Sequence, residues 1–340
     1  MDSPFLFARI MLEMSSPPAV RWPSVRPQGV KMTDQENGTP VEEFDTGFLR
    51  TAVYRSGAGF HWNRSPGALR AAVLGAPSGP VRAALGTVAG GLLPALPQVR
   101  GEERRYRVPA RTSAAALLLH PVSTTRTEAL VRALAGAGRT LALLHALALP
   151  GEQLPRNGPP GPARLDAWMG TGHGPGAAPR LYESLRGVLG PRRWETVRQW
   201  CAGLSGGSPG DVLLHGAPGL GSLIVDGRTG AGALLTGEEV SRGPAGFDLG
   251  WILGEFTEFR MLREHFGVGS DPARLEAARE ALLDGYGSLP DARTVSRTSV
   301  LRVFTHAHDF AAYMGWDDQL LFYGRQIAEL VDEECAVPAP

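Results

Sequence analysis

The sequence predicts an α+β protein of two lobes, a small strand-rich lobe followed by a larger, mainly helical one. Three observations carry this reading. A chain of 340 residues is long enough for two lobes with sizeable cores. Alternating apolar positions from Phe48 to Arg64, and again after Glu103, suit paired strands. From Thr127 onward the apolar spacing is mostly helical, with short strand signals confined to Asp211–Gly237.

Taken in order, residues 1–45 hold unperiodic proline and polar stretches and read as a disordered tail. The small lobe spans 46–122. FLRTAVYRSGAGFHWNR forms two strands around Gly57 and Gly59, GALRAAVLG reads as a third, and PVRAALGTVAGGLLPAL as a weak helix. ERRYRVPARTSAAALLLHPV offers further strands, the last ending in the apolar run Ala114–Leu119. The large lobe spans 123–334 and opens with the strongest helical pattern, Thr127 to Leu147. Residues 150–179 contain fourteen Gly or Pro and read as an irregular insertion. Helices resume, DVLLHG, SLIVD and AGALLTG read as short strands, and the remainder is helical up to a tail at 335–340.

Composition removes whole classes of function. Thirty-four basic residues balance thirty-four acidic ones, which argues against nucleic acid or a membrane as a general partner. The longest apolar run, around Leu141–Leu149, is half of what a bilayer span requires. Two cysteines, Cys201 and Cys335, make no disulfide framework, so a cytoplasmic location is expected. Lys31 is the single lysine, and chemistry that needs a lysine in the folded body is excluded, Schiff bases and P-loops included.

The segment from Asp211 to Trp251 resembles the catalytic region of the aminoglycoside phosphotransferase and choline kinase-like family, where a strand ends in H-G-D-x-x-x-x-N, a hairpin leads to I-D-W-E, and a further Asp-Leu follows. Here His215 and Gly216 stand in register, and Asp248-Leu249 lies twelve residues past Thr236. LALLHAL, Leu141 to Leu147, is similar to the family's L-A-x-L-H helix, and ALLDGYG, Ala281 to Gly287, to its tyrosine segment. The resemblance covers about residues 48–334 and implies a two-lobed protein-kinase-like fold.

The groups that would perform phosphoryl transfer are replaced. Such a kinase needs a carboxylate at the acceptor hydroxyl, an Asn and an Asp on magnesium, and a strand lysine paired with a helix glutamate. Ala217 stands at the first position, Ser222 at the second and Thr236 at the third. Arg70 is the expected substitute for the lysine, yet residues 46–101 contain no acid to pair with it. The expectation is a pseudokinase with no bound metal or cofactor. His215 is the remaining base candidate but reads as a structural group, as does Asp248. Glu238 and Glu239 are the weak metal candidates and read as solvated turn residues, and HAHD, His306 to Asp309, as a surface histidine pair.

Six arginines lie between 46 and 101, and ERRYRVPAR adds four more, so the small lobe is strongly basic. Arg55, Arg70, Arg104, Arg105 and Arg107, interleaved with aromatic residues, are expected to hold an acidic peptide or protein. The resemblance implies a setting for this: family members work in ribosomal peptide natural-product maturation beside a lyase or kinase subunit, of lanthipeptide or thioamide type. A precursor peptide is then the expected partner, and partner activation the expected role. The alternatives are a divergent small-molecule kinase using Arg70 with Glu238 or Glu239, and a kinase-fold enzyme repurposed for peptide cyclisation.

Overall fold

A computed structural model describes residues 38–267 and 271–336. The small lobe is built on a five-stranded antiparallel sheet of β1 (Glu42–Asp45), β2 (Leu49–Ser56), β3 (Gly59–Pro66), β5 (Gln98–Arg100) and β6 (Glu103–Val108), in the order β1-β2-β3-β6-β5. Strands β2 and β3 close on each other at Ser56↔Gly59, and Gly57 supplies the positive φ of +55° that this tight turn needs. Order therefore begins at β1, within the segment read as tail; residues 1–37, and Lys31 with them, lie outside the described residues.

The expected third strand, GALRAAVLG, is not one. It leaves β3 at Gly67, whose N–H donates to Phe48, and crosses to the body of the lobe, where Leu74 is fully buried. A short helix, α1 (Gly79–Leu85), and the strand β4 (Leu93–Ala95) follow. Strand β4 pairs in parallel with β9 (Gly232–Leu235), which pairs with β8 (Leu223–Val225), and this three-stranded sheet ties the small lobe to the body of the molecule. The run Ala114–Leu119 is a helix, α2, rather than a strand. A run of six apolar residues fits either element, and the Ser113 side chain decides it by accepting a hydrogen bond from Ala116 N–H as N-cap.

The large lobe contains α3 (Thr124–His145), α4 (Pro160–Thr171), α5 (Ala178–Ala202, broken at Gly190–Pro191), α6 (Gly246–Phe266), α7 (Pro272–Tyr286), α8 (Ala292–Tyr313) and α9 (Gln319–Ala336). Between α5 and α6 lies β7 (Val212–Leu214), paired with β10 (Ser241–Gly243). The segment 150–179 is more ordered than its composition suggests. Its prolines open α4, where a missing N–H costs nothing, and Gly172 ends it in the left-handed region. Gly161 lets α4 approach the Trp251 ring, which a Cβ would meet at 2.5 Å. The last helix runs on through Cys335 and Ala336, and 337–340 lie outside the described residues. The core of this lobe is aromatic, with Trp168 packed edge-on to Phe304 and against Trp194.

Candidate functional site

The loop that follows β7 is fixed from below. Asp248, in the first turn of α6 and fully buried, accepts from His215 N–H at 2.7 Å and from Gly216 N–H at 2.9 Å. Its Oδ2 also receives His145 Nε2 at 2.9 Å, while Tyr286 O–H donates to His145 Nδ1 at 2.8 Å. The His145 ring thus bridges the Tyr286 hydroxyl and the Asp248 carboxylate. Three separate sequence motifs, LALLHAL, HG-to-DL and ALLDGYG, thus meet at a single carboxylate. Burial with the Asp248 charge pushes the Tyr286 phenol up to about 12.

His215 points away from reaction chemistry. Its Nε2 donates to Leu235 C=O at 2.9 Å, its ring is buried, and that burial pulls the imidazole below its usual pKa despite Asp248 nearby. The next residue must be glycine: Gly216 sits at φ +90°, and a Cβ there would collide with the Glu239 carbonyl. Ala217 offers the cleft no polar group, and Ser222 Oγ is spent on Gly219 C=O at 2.9 Å. Thr236 is fully buried and donates to Leu234 C=O at 2.8 Å.

Between the lobes lies a cleft of about 370 Å³, with Phe48, Trp62, Trp251, Phe259, Phe310 and Tyr313 in its walls. Its charges are paired within the protein. Glu238 receives Arg64 at 3.2 Å and Tyr106 O–H at 2.8 Å, and Glu239 receives Arg70 at 3.2 Å. Arg164 holds Asp309 with two bonds of 3.1 and 2.6 Å, and Arg302 holds Glu255 at 2.7 Å. Burial by itself would raise the Asp309 carboxyl, but Arg164 and His308 together hold it far below the usual range. Behind them, Glu258 is fully buried between His306 Nδ1 at 2.7 Å and Tyr323 O–H at 2.6 Å.

The lobes meet across this cleft. Gly47 N–H donates to Tyr313 C=O at 3.3 Å, and the Phe48 ring lies 4.8 Å from Tyr313. Arg70 and Arg164 stack on Phe48 at 4.1 and 4.7 Å.

Several sequence expectations change here. Glu238 and Glu239 are not solvated turn residues, because each faces inward onto an arginine. The guanidinium carried by strand β3 is Arg64; Arg70 lies beyond the strand and enters the cleft from the following segment. The HAHD residues are not a surface pair: His308 is buried against Trp168, at 4.9 Å, and His306 lines the cleft. Arg104 is a structural residue whose guanidinium is consumed by the carbonyls of Leu74, Gly75, Gly101 and Glu103, so it cannot grip a partner. Arg55, Arg105 and Arg107 gather on the opposite face of the small lobe, apart from Arg70. The pairings of Arg64, Arg164 and Arg302 escaped sequence reasoning, since their partners lie 174, 145 and 47 residues away in the chain. The HAHD segment, which contains Asp309, was the one available signal. Among the described residues no group of three metal-ligating side chains occurs, and no helix is long and apolar enough to cross a membrane.

No family model matches the chain, and no curated protein matches it in sequence. Solved structures match it in shape. A spectinomycin phosphotransferase in complex with ADP and spectinomycin is 10% identical, over 87% of this chain and 93% of that one, with a TM-score of 0.48. A glucosamine kinase is 15% identical, over 89% and 82%, with a TM-score of 0.43. A choline/ethanolamine kinase family protein from Mesorhizobium loti is 14% identical, over 87% and 89%, with a TM-score of 0.44. These are likenesses of overall shape, each with a TM-score below 0.5. At such identities the likeness is one of fold, and the molecules those proteins act on remain theirs.

Proposed function

We propose that this kinase-fold chain is a pseudokinase whose interlobe cleft holds a peptide segment without transferring phosphate to it. The observation that carries the reading is the pairing of Glu238 with Arg64 and of Glu239 with Arg70. A divalent cation at these carboxylates would have to displace two guanidinium groups from partly dehydrated sites, and neither Thr236 nor Ser222 could complete its shell. Self-paired charges and aromatic walls suit a ligand with little net charge and some apolar surface, such as a run of peptide side chains. Precursor peptides of ribosomal natural-product pathways supply the natural probes, with a role in their maturation as a binding or partner-activating subunit.

The test is a thermal-shift titration of the full chain with magnesium-ATP and, separately, with precursor peptides encoded near it. Saturation at a hundred times Kd would add about 2.7 kcal/mol of stability. Peptide should raise Tm and magnesium-ATP should leave it unchanged. Ala217→Phe, which fills the cleft, should remove the peptide shift while the variant stays folded. A magnesium-dependent rise with ATP would overturn the reading and favour a divergent kinase.

A further inference from the structure

The face of the small-lobe sheet turned away from the cleft carries a second concentration of charge. Residues opposed in register share a face, which places Tyr54, His61 and Arg107 in one row across β2, β3 and β6. A second row, two residues on, runs from Glu43 at the β1 edge through Ala52, Asn63, Arg105 and Gln98. Arg55 joins at the hairpin end and Arg100 at the β5 edge, around a depression of about 530 Å³ that has no acidic residue in its lining among the described residues. Arg55, Arg100 and Arg107 are exposed, whereas Arg105 is buried at its floor. The nearby acids stand outside it: Glu43 and Glu103 act on the Tyr54 phenol, and Glu103 faces Arg100 across the β5–β6 pair. The cluster is dense enough that burial, followed by Arg105, Arg107 and Arg100, holds the His61 imidazole below its usual pKa.

We infer that this outer face is a docking site for an extended peptide segment with acidic residues at alternate positions. Arg105 and Arg107 are two residues apart on one strand, so they repeat at about 6.8 Å. An extended chain presents its side chains i and i+2 at the same interval, and a Glu-x-Glu or Asp-x-Asp segment laid along β6 would set one carboxylate on the exposed Arg107 and the next over the floor where Arg105 is buried. Tyr54 O–H, Gln98 and the exposed guanidinium groups of Arg55 and Arg100 surround that line. A nucleic acid fits less well. A duplex carries a charge about every 1.7 Å of its axis and a single strand about every 3.4 Å, over many residues, and a long polyanion would be driven across Glu43 and Glu103, on a chain of zero net charge. Among the described residues the site shares no lining residue with the cleft, so it stands or falls independently of what the cleft holds.

The experiment measures fluorescence anisotropy of a labelled alternating Glu-Ser peptide with the full chain at about 0.15 M ionic strength. Its Gln-Ser counterpart and a single-stranded oligonucleotide of equal charge serve as the other probes. The acidic peptide should bind, the Gln-Ser peptide should not, and the oligonucleotide should bind more weakly. The triple variant Arg55→Glu, Arg100→Glu, Arg107→Glu should weaken acidic-peptide binding by about tenfold or more. The same charge change placed on the large lobe, Arg132→Glu, Arg192→Glu, Arg325→Glu, should alter it by less than about twofold. If the first triple does not fold, Arg55→Gln, Arg100→Gln, Arg107→Gln takes its place with the same expected direction. Equal losses in both triples, no binding of the acidic peptide, or tighter binding of the oligonucleotide would each overturn the inference.

Discussion

Replacing Asp248 by alanine should destabilise the protein by about 3–6 kcal/mol, a large part of a typical total of about 5–15 kcal/mol. The figure follows from what the carboxylate satisfies. His215 N–H and Gly216 N–H are both buried and both donate to it, and Asp248 itself is fully buried. Water cannot replace the lost acceptor without entering the core, so each orphaned donor costs about 1–3 kcal/mol. The His145 Nε2–H loses its partner as well, which loosens the link to Tyr286. Urea unfolding at neutral pH measures the loss. Asp248→Asn keeps one oxygen but turns an NH₂ towards at least one of the donors, and should cost nearly as much. His145→Phe breaks only the side-chain branch and should cost about 1–2 kcal/mol, which provides a folded comparison if the alanine variant is too unstable to purify. A loss below about 1 kcal/mol for Asp248→Ala would refute the assignment of this carboxylate as the tie between the loop and the helices.

Three further outcomes are expected. Thr236→Asp, which would restore a metal carboxylate by sequence alone, should instead bury an unpaired charge beside the Leu234 carbonyl, cost about 3 kcal/mol or more in urea unfolding, and confer no magnesium binding by calorimetry. The Asp309 carboxyl is held below its unfolded value. The stability contributed by the Arg164–Asp309 pair is therefore complete above the unfolded pKa of about 4 and lost as pH falls below it, so Asp309→Asn should flatten the acid limb of a plot of urea midpoint against pH. Burial pushes the Cys201 thiol well up while Cys335 is exposed, so a thiol reagent should label one cysteine in the native protein and both only after unfolding.

The local code of this chain determined a good deal. Strand alternation at Leu49–Ser56 and Gly59–Pro66, helical spacing from Thr127, and the spacing of His215, Thr236 and Asp248 are properties of short segments, so the two-lobed α+β plan was legible from them. The identities of Ala217, Ser222 and Thr236 at the expected motif positions were read in the same way, by counting along the chain. Local pattern failed where two elements share one signature. Ala114–Leu119 could be strand or helix until a hydroxyl capped it, and the prolines of 150–179 could break a helix or begin one. Tertiary structure alone decided the charges. Ten arginines on one lobe look alike in sequence, yet folding sends Arg104 onto backbone carbonyls, Arg64 and Arg70 onto glutamates from a distant turn, and Arg55, Arg100 and Arg107 outward to solvent. Burial and partner distance set what a charge can do, and both come from contacts between residues far apart in the chain.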